Sequence, residues 1–305
     1  MKPTLRGGRA ALAGALALVV AASGAVTTQA AARSDAAAQP TAVSTLVGIR
    51  AGHHPGYDRV VLDLTGPLPA DRMRSWVSTV TEDGSGRIVH VAGHAFLQIV
   101  LHVAQAHDAG GQTVRTRKTY ALPNVTQTLL NGDFEGYVSV AIGLQRKTQV
   151  LRFFTLTAPS RVVIDISTPY TWYQRRAYYL NAQRYASGTR PYTIAVPRPV
   201  IPPTVARQAL ERLFAGPTVA ELGRHLRFVR SGATGFSDLS VSGGIARVRL
   251  TGGCDSRGST YTIANEIFPT LKQFATVDHV KIYGPKGYTE QPTGDVDSIP
   301  PCLEP

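Results

Sequence analysis

The side chains able to do chemistry here are eight histidines, two cysteines, twenty carboxylates and a glycine-rich loop carrying an arginine. Their spacing decides what they can do. His53 and His54 are adjacent beside Pro55-Gly56, and neighbouring side chains rarely converge on one ion. His94 and His102 fall on the same outward face of one strand, eight residues apart. At the strand rise that is about 26 Å, too far for a shared metal. His90, His107, His225 and His279 have no carboxylate or second histidine at ligand spacing. Surface or half-buried histidines are expected, and no metal site. Asp133 and Glu135 flank Phe134 at a turn entering a strand. Paired carboxylates can act as acid and base, but hydrolysis needs a set separation across a cleft. A solvated turn is the plainer reading. Asp63 and Asp165 sit opposite apolar stripes and are expected to face solvent. The chain has no G-x-S-x-G, H-E-x-x-H, Walker A, G-x-G-x-x-G or S-x-x-K spacing, so no catalytic residue and no cofactor is assigned.

The loop Gly252-Gly253-Cys254-Asp255-Ser256-Arg257-Gly258-Ser259-Thr260 joins a strand to the start of a helix. Free amides, hydroxyls, a helix dipole and Arg257 can together hold a phosphate or carboxylate. The alternative is a glycine loop pinned by a disulfide, with Ser259 as an ordinary N-cap. Arg247 and Arg249 alternate onto one outward face of the preceding strand and extend a basic surface toward this loop. Cys254 and Cys302 are the only cysteines and lack metal or redox spacing, so in an oxidising compartment they are expected to pair. That bridge ties a Pro-rich tail back to the loop.

The elements that must position these residues follow from composition and periodicity. The chain has 305 residues, of which 43% are hydrophobic and 17% charged, with a net charge of +12. This is ample for packed cores and excludes a disordered chain. Length suggests two domains. Met1–Arg9 carries three positive charges, Ala10–Val26 has none, and Ala30-Ala31-Ala32 closes the segment. That order is a secretory signal peptide, residues 1–32. An uncleaved anchor is the alternative, although the apolar run is marginal against the ~20 residues that span a bilayer. Cleavage leaves no stable membrane anchor and a charge of +9. Export argues against nucleic acid as a partner. Residues 33–43 are an Ala-rich tether.

Residues 44–168 alternate with period two. Val60, Leu62 and Leu64 share a face, as do Leu97, Ile99 and Leu101, then Val138, Val140 and Ile142, then Val162, Ile164 and Ile166. With turns at Asp83-Gly84, Gly110-Gly111 and Asn131-Gly132, this predicts an antiparallel β-sandwich or barrel without helices. Residues 169–190 are a connecting segment with a first strand. Residues 191–285 read as α+β. A helix is expected over 204–215, and the capping box Thr218-x-x-Glu221 opens another. A hairpin turns at Ser242-Gly243-Gly244. A helix broken by Pro269 is expected over 259–274, and a last strand over 277–283. Residues 286–305 are the stapled tail.

The string Gly56-Tyr57-Asp58-Arg59-Val60-Val61, with Gly93-His94-Ala95-Phe96-Leu97, Asp133-Phe134-Glu135-Gly136 and Ser160-Arg161-Val162-Val163-Ile164-Asp165-Ile166, resembles the AMIN-like domain of secreted bacterial proteins. Val196-Pro197-Arg198-Pro199-Val200, Leu210-x-x-Leu213-x-x-Gly216-Pro217-Thr218 and Val277-Asp278-His279-Val280-Lys281-Ile282 resemble the GerMN domain of spore-germination and other envelope proteins. The Cys254 loop and the Cys302 tail depart from that pattern. The resemblance implies an exported, non-enzymatic protein of the cell wall, whose partner is peptidoglycan, another anionic wall polymer or an envelope protein. Tyr57 and Arg59 on the first domain, and Arg247, Arg249 and Arg257 on the second, are the expected contacts. A wall hydrolase or transferase, or a pure assembly factor, are the alternatives.

Overall fold

A computed structural model describes residues 42–305. The expected signal peptide and residues 33–41 of the tether lie outside the described residues. No helix among the described residues is long and apolar enough to cross a membrane.

The alternating segments become strands: β1 (Ser44–His54), β2 (Tyr57–Thr65), β3 (Asp71–Val77), β4 (Ala95–His102), β5 (Ala104–Gln105), β6 (His107–Asp108), β7 (Gly111–Gln112) and β8 (Arg117–Thr119). The long strands β9 (Val125–Phe134), β10 (Tyr137–Leu144), β11 (Val150–Leu156) and β12 (Arg161–Ser167) complete the N-terminal domain. One sheet runs β11-β12-β2-β1-β5 and the other β3-β4-β10-β9-β8, while β6 and β7 form a small hairpin. The inward stripes of both sheets, including Leu62, Leu64, Leu97, Ile99, Val140, Ile142 and Ile164, meet in one core. Val80 and Val91, from the loop between β3 and β4, cover Leu129 and Ala141 in a second apolar cluster. The pairing is antiparallel except for β1 with β5. Asn131-Gly132 does not turn the chain as expected but lies within β9, and Asn131 is buried. The turn falls at Glu135-Gly136, where φ of +49° and +79° suits a two-residue hairpin loop.

The C-terminal domain follows with β13 (Tyr173–Asn181), α1 (Ala182–Ala186), β14 (Thr193–Val200), α2 (Val205–Phe214), α3 (Val219–Gly223) and β15 (Leu226–Arg227). Then come β16 (Ala233–Ser242), β17 (Ile245–Gly252), α4 (Ala264–Lys272) and β18 (His279–Tyr283). The sheet β14-β13-β15 and the sheet β16-β17-β18, the last pair parallel, share a core with α2 and α4. Leu210 and Leu213 of α2 and Ile267 and Leu271 of α4 supply its helical side. Both halves of the Thr218–Glu221 capping box form. Glu221 also makes a bidentate ion pair with the buried Arg198, at 2.8 and 2.6 Å. The helix expected from Ser259 begins instead at Ala264. Ser259 turns its hydroxyl onto Tyr261 of its own loop, and Asn265 bonds back to the amide of Thr262, so the helix has no Ser259 cap.

Cys254 and Cys302 form a disulfide. The tail is held a second time by Lys281, whose ammonium is buried and donates to the carbonyls of Gln291, Thr293 and Val296 at 2.6–3.1 Å.

Glu266 is fully buried in α4 and accepts the amides of Leu180 and Val229 at 2.9 and 3.1 Å. It thereby anchors β13 and the segment after β15. Burial pushes its carboxyl well above the usual glutamate range, against the pull of those two amides. The folded state therefore holds this proton more tightly than the unfolded chain. The stability so contributed is present below the unfolded value of about 4.3 and is lost as pH rises through the folded value. Denaturant unfolding at a series of pH values should show stability falling from about pH 5 upward, and Glu266→Gln should flatten that fall. An unchanged slope in the variant would show the carboxyl to be ionised when folded.

The two domains pack as one unit over residues 42–305. Arg212 of α2 is buried and donates to the carbonyls of Leu122 and Pro123 at 2.7 and 3.2 Å. Burial, with the nearby charge of Arg198, pushes its guanidinium down to about 10. Thr119 donates to the carbonyl of Ala215 at 2.9 Å, and Arg146 to that of Pro202 at 2.9 Å.

Candidate functional site

The register of three adjacent strands builds a cationic and aromatic face on the outer side of the first sheet. Arg59 of β2 lies opposite Asp165 of β12, which lies opposite Arg152 of β11. Because side chains alternate, these three point the same way, away from the core. One row along, Phe154, Val163 and Val61 stand side by side. Two residues before Arg59, Tyr57 starts β2 beside the turn at Pro55-Gly56. Arg50 and Asp63 extend the same face, with Arg50 Nε 2.8 Å from Asp63 Oδ2.

Arg59 grips Asp165 with two hydrogen bonds, Nε to Oδ1 at 2.7 Å and Nη2 to Oδ2 at 2.9 Å. Arg152 adds Nε to Oδ2 at 2.6 Å. Both guanidiniums also reach the Tyr57 hydroxyl, at 3.5 and 3.4 Å. Both lie over the rings of Tyr57 and Phe154, at 5.5–5.8 Å from the centroids. His54 stacks on Tyr57, its ring 4.9 Å from that of the tyrosine. Asp165 is therefore not the solvent-facing residue expected from its place in the strand. It is fully buried beneath two arginines. Burial pushes its carboxyl up, but the hydrogen bond and charge of Arg59, reinforced by Arg152, outweigh that and hold it below the usual range. Its bond to Arg59 in turn raises that guanidinium.

An ionised carboxylate clamped this way is a structural anion. It locks two planar guanidiniums in place while leaving one net positive charge. Arg152 keeps 55% of its side chain exposed. Its outward N–H groups can meet a phosphate or carboxylate, and guanidinium geometry favours two-point contact with either. Among the sequence candidates, Tyr57 and Arg59 are thus brought together. Asp165 was read only as a solvent-facing carboxylate, and Arg152 and Phe154 were not singled out. The only trace of Arg152 and Phe154 in the sequence is the alternation Arg152-x-Phe154 in a strand whose partner is fixed by pairing.

The other candidates fare differently. Arg247 and Arg249 lie on β17, with Arg249 Nε 3.7 Å from Asp238 Oδ2. Arg257 is highly exposed, with Nε 3.6 Å from Asp255 Oδ2. The loop around it offers no helix dipole, since α4 starts at Ala264. Most of its amides already have protein partners. Ser256 donates to the Cys302 carbonyl and Asp255 to that of Ser231, while Arg257 and Gly258 donate to the side chains of Asp255 and Ser256. The loop is a pinned turn and not an anion cradle.

Histidines pair with carboxylates that the linear spacing did not reveal: His53 with Asp58 at 2.8 Å, His94 with Glu211 at 2.9 Å, His102 with Asp71 at 3.1 Å and His107 with Asp133 at 2.6 Å. Asp133 is thereby tied to His107. No group of three or more metal-ligating side chains occurs among the described residues.

Residues 44–168 match the AMIN-like domain family, and residues 176–284 match the sporulation and spore germination family, Germane. No curated protein and no solved structure matches the chain.

Proposed function

We propose that this chain, whose AMIN-like and sporulation and spore germination domains suggest an envelope- or cell-wall-associated protein, has a non-enzymatic role in holding an anionic wall polymer. The observation that carries this reading is the outer face of β2, β12 and β11. There Arg59 and Arg152 are fixed by one buried carboxylate and stacked on Tyr57 and Phe154. Arginine supplies the charge complement for phosphates or carboxylates of a polymer, and the flat rings supply apolar area against sugar faces. Asp165 is held ionised by two arginines, so it is poorly placed to donate or accept a proton. The role of this face is to bind. The expected secretory signal at Met1–Ala32 supports the reading, since export would bring the protein to such polymers and the net charge of +9 without that segment would favour them.

The test is sedimentation of the protein, purified without Met1–Ala32, together with purified peptidoglycan-containing walls. It should pellet with them at low salt and be released progressively as ionic strength shortens the Debye length below about 10 Å. A protein that stays in the supernatant at low salt contradicts the reading.

A further inference from the structure

The two sheets of the first domain are stitched together along one side and open along the other. On the closed side, Lys118 and Tyr120 donate to the Ile49 carbonyl at 2.8 and 3.4 Å. On the open side stand the edge strands β3 and β11. Among the described residues no backbone hydrogen bond joins them, so each keeps an outward row of N–H and C=O groups without a strand partner. Such a row is a template for pairing with another chain. β3 is the more exposed of the two. Its first five residues all face solvent, Met73 at 52%.

Cross-strand register fixes the side chains at this open mouth. Arg72, Arg74 and Trp76 lie opposite Leu101, Ile99 and Leu97 of β4, all three of them core residues. Residues directly opposite share a face, so two arginines and a tryptophan point inward from an edge strand. Across the mouth, Phe153 and Thr155 of β11 lie opposite Ile164 and Val162 and point inward too. Arg74 sits over the Phe153 ring at 5.4 Å, and Lys147 over the Trp76 ring at 5.3 Å. One recess of about 350 Å³ opens between Arg72 and Phe153, and another of about 460 Å³ among Arg74, Trp76 and Val150. Neither is lined by a carboxylate. Arg72 bonds the Pro69 carbonyl at 2.9 Å, and no ion pair engages Arg72, Arg74 or Lys147 among the described residues. The adjacent acid, Asp71, lies on the opposite face of β3 and is held by His102 at 3.1 Å. Inward charges keep apolar strands of other chains from adding to an edge. Three cations without carboxylate partners, beside a free backbone row, leave that edge open to an acidic strand.

We propose that β3 is a docking edge for an extended acidic segment of a partner protein, which adds to the sheet as a strand. The backbone row decides the class of partner, because only another polypeptide offers N–H and C=O groups that repeat in step with it. The side chains then set its sequence. Facing Arg72, Arg74 and Trp76, the added strand carries two carboxylates at alternate positions and an apolar residue two positions further on. The apolar side chain enters the recess beside Trp76. β3 shares no residue with the outer face of β2, β12 and β11, so this inference stands apart from wall binding.

The test uses the purified chain and a capped heptapeptide with Glu at its second and fourth positions, Leu at its sixth and Thr elsewhere. A second peptide has the reverse sequence, to allow for either strand direction. A control has the same composition with its two Glu adjacent, so that they point to opposite faces. Binding is followed by the indole NMR signal of Trp76 and by amide hydrogen exchange along Asp71–Val77. A saturable shift with one of the two ordered peptides is expected, together with slowed exchange in β3 and several-fold weaker binding of the control. R72Q/R74Q should bind that peptide about fivefold or more weakly, having lost two cross-strand charge pairs. Both positions are exposed, so the fold is retained. R72E/R74E should reject the peptide and take its counterpart with Lys in place of Glu. R257Q, a highly exposed position in the other domain, should bind as the parent does. No saturable shift with either ordered peptide, equal binding by R72Q/R74Q and the parent, or binding that leaves exchange in β3 unchanged overturns the proposal. Each of these results leaves wall binding through the outer face of β2, β12 and β11 standing, since sedimentation with walls decides that separately.

Discussion

Glu221→Gln should destabilise the chain by about 3–5 kcal/mol, the range for breaking a buried ion pair by removing one partner. Arg198 is fully buried, and its two terminal nitrogens meet both oxygens of Glu221 at 2.8 and 2.6 Å. Its guanidinium lies over the Tyr179 ring at 5.4 Å, and its Nε has no partner. The same carboxylate accepts the Thr218 amide at 2.8 Å and so completes the α3 cap. Glutamine keeps the shape but abandons a buried cation and replaces one acceptor with a donor. The pH dependence has a definite sign. Burial pushes the Glu221 carboxyl up, but Arg198 and Thr218 more than offset this, and the folded value is lowered. Stability from this group is present above the unfolded value of about 4.3 and is lost as pH falls through the folded one. Guanidinium unfolding should therefore show a deficit in the variant at pH 7 that narrows in acid. The double replacement R198M/E221L should recover much of the loss, since a hydrophobic pair of similar volume is often as stable as a buried ion pair. A deficit under about 1 kcal/mol at pH 7 would show that the pair is not buried as described.

Removal of the disulfide should cost nearly as much. The bridge joins Cys254 to Cys302, 48 positions later in the chain. Chain-entropy arguments put the closure of such a loop at about 4 kcal/mol. For a chain of this size that corresponds to a fall of roughly 10 °C in the thermal midpoint. The tail has a second tether in Lys281, which ties down the carbonyls of Gln291, Thr293 and Val296. C254A/C302A should therefore keep the tail seated in the cold while melting earlier, and C254A/C302A/K281M should release it to proteolysis at residues 285–305. An unchanged midpoint on reduction would mean that the tail contributes nothing to the cooperative unit.

Much of the scaffold was legible because it rests on local rules. Period-two alternation located the long strands, since Val60, Leu62 and Leu64 can share a face only in extended chain. The Thr218–Glu221 box and the Ser242-Gly243-Gly244 turn are likewise short-range signals, and both form. The cysteine pair needed no geometry, there being no other partner. What stayed hidden depends on which strands become neighbours. Asp165 and Arg59 are 106 positions apart, and only the β2–β12 register makes the aspartate a buried clamp. Alternation alone places Asp165 on the outer face and says nothing of what covers it. The start of α4 was misjudged because a serine before a helical pattern reads as a cap, whereas Ser259 folds back on Tyr261. The contacts at the domain boundary stayed hidden for a further reason. Arg212 and its acceptors Leu122 and Pro123 belong to different domains, and no periodicity within either one encodes how they dock.

The most direct test of the wall-binding account compares two variants with the same charge change. Arg152→Gln and Arg249→Gln each remove one positive charge from exposed positions, the first beside Tyr57 and Phe154, the second on β17. In Arg152→Gln the Arg59–Asp165 pair remains, so the fold is retained. The quantity to measure is the affinity of each for purified walls at one low ionic strength. The account predicts a loss of about tenfold for Arg152→Gln, the effect of one charge-assisted contact, and binding by Arg249→Gln close to that of the parent. Equal weakening by both would mean that attachment follows net charge alone, and the outer face of β2, β12 and β11 would lose its claim to be the binding site.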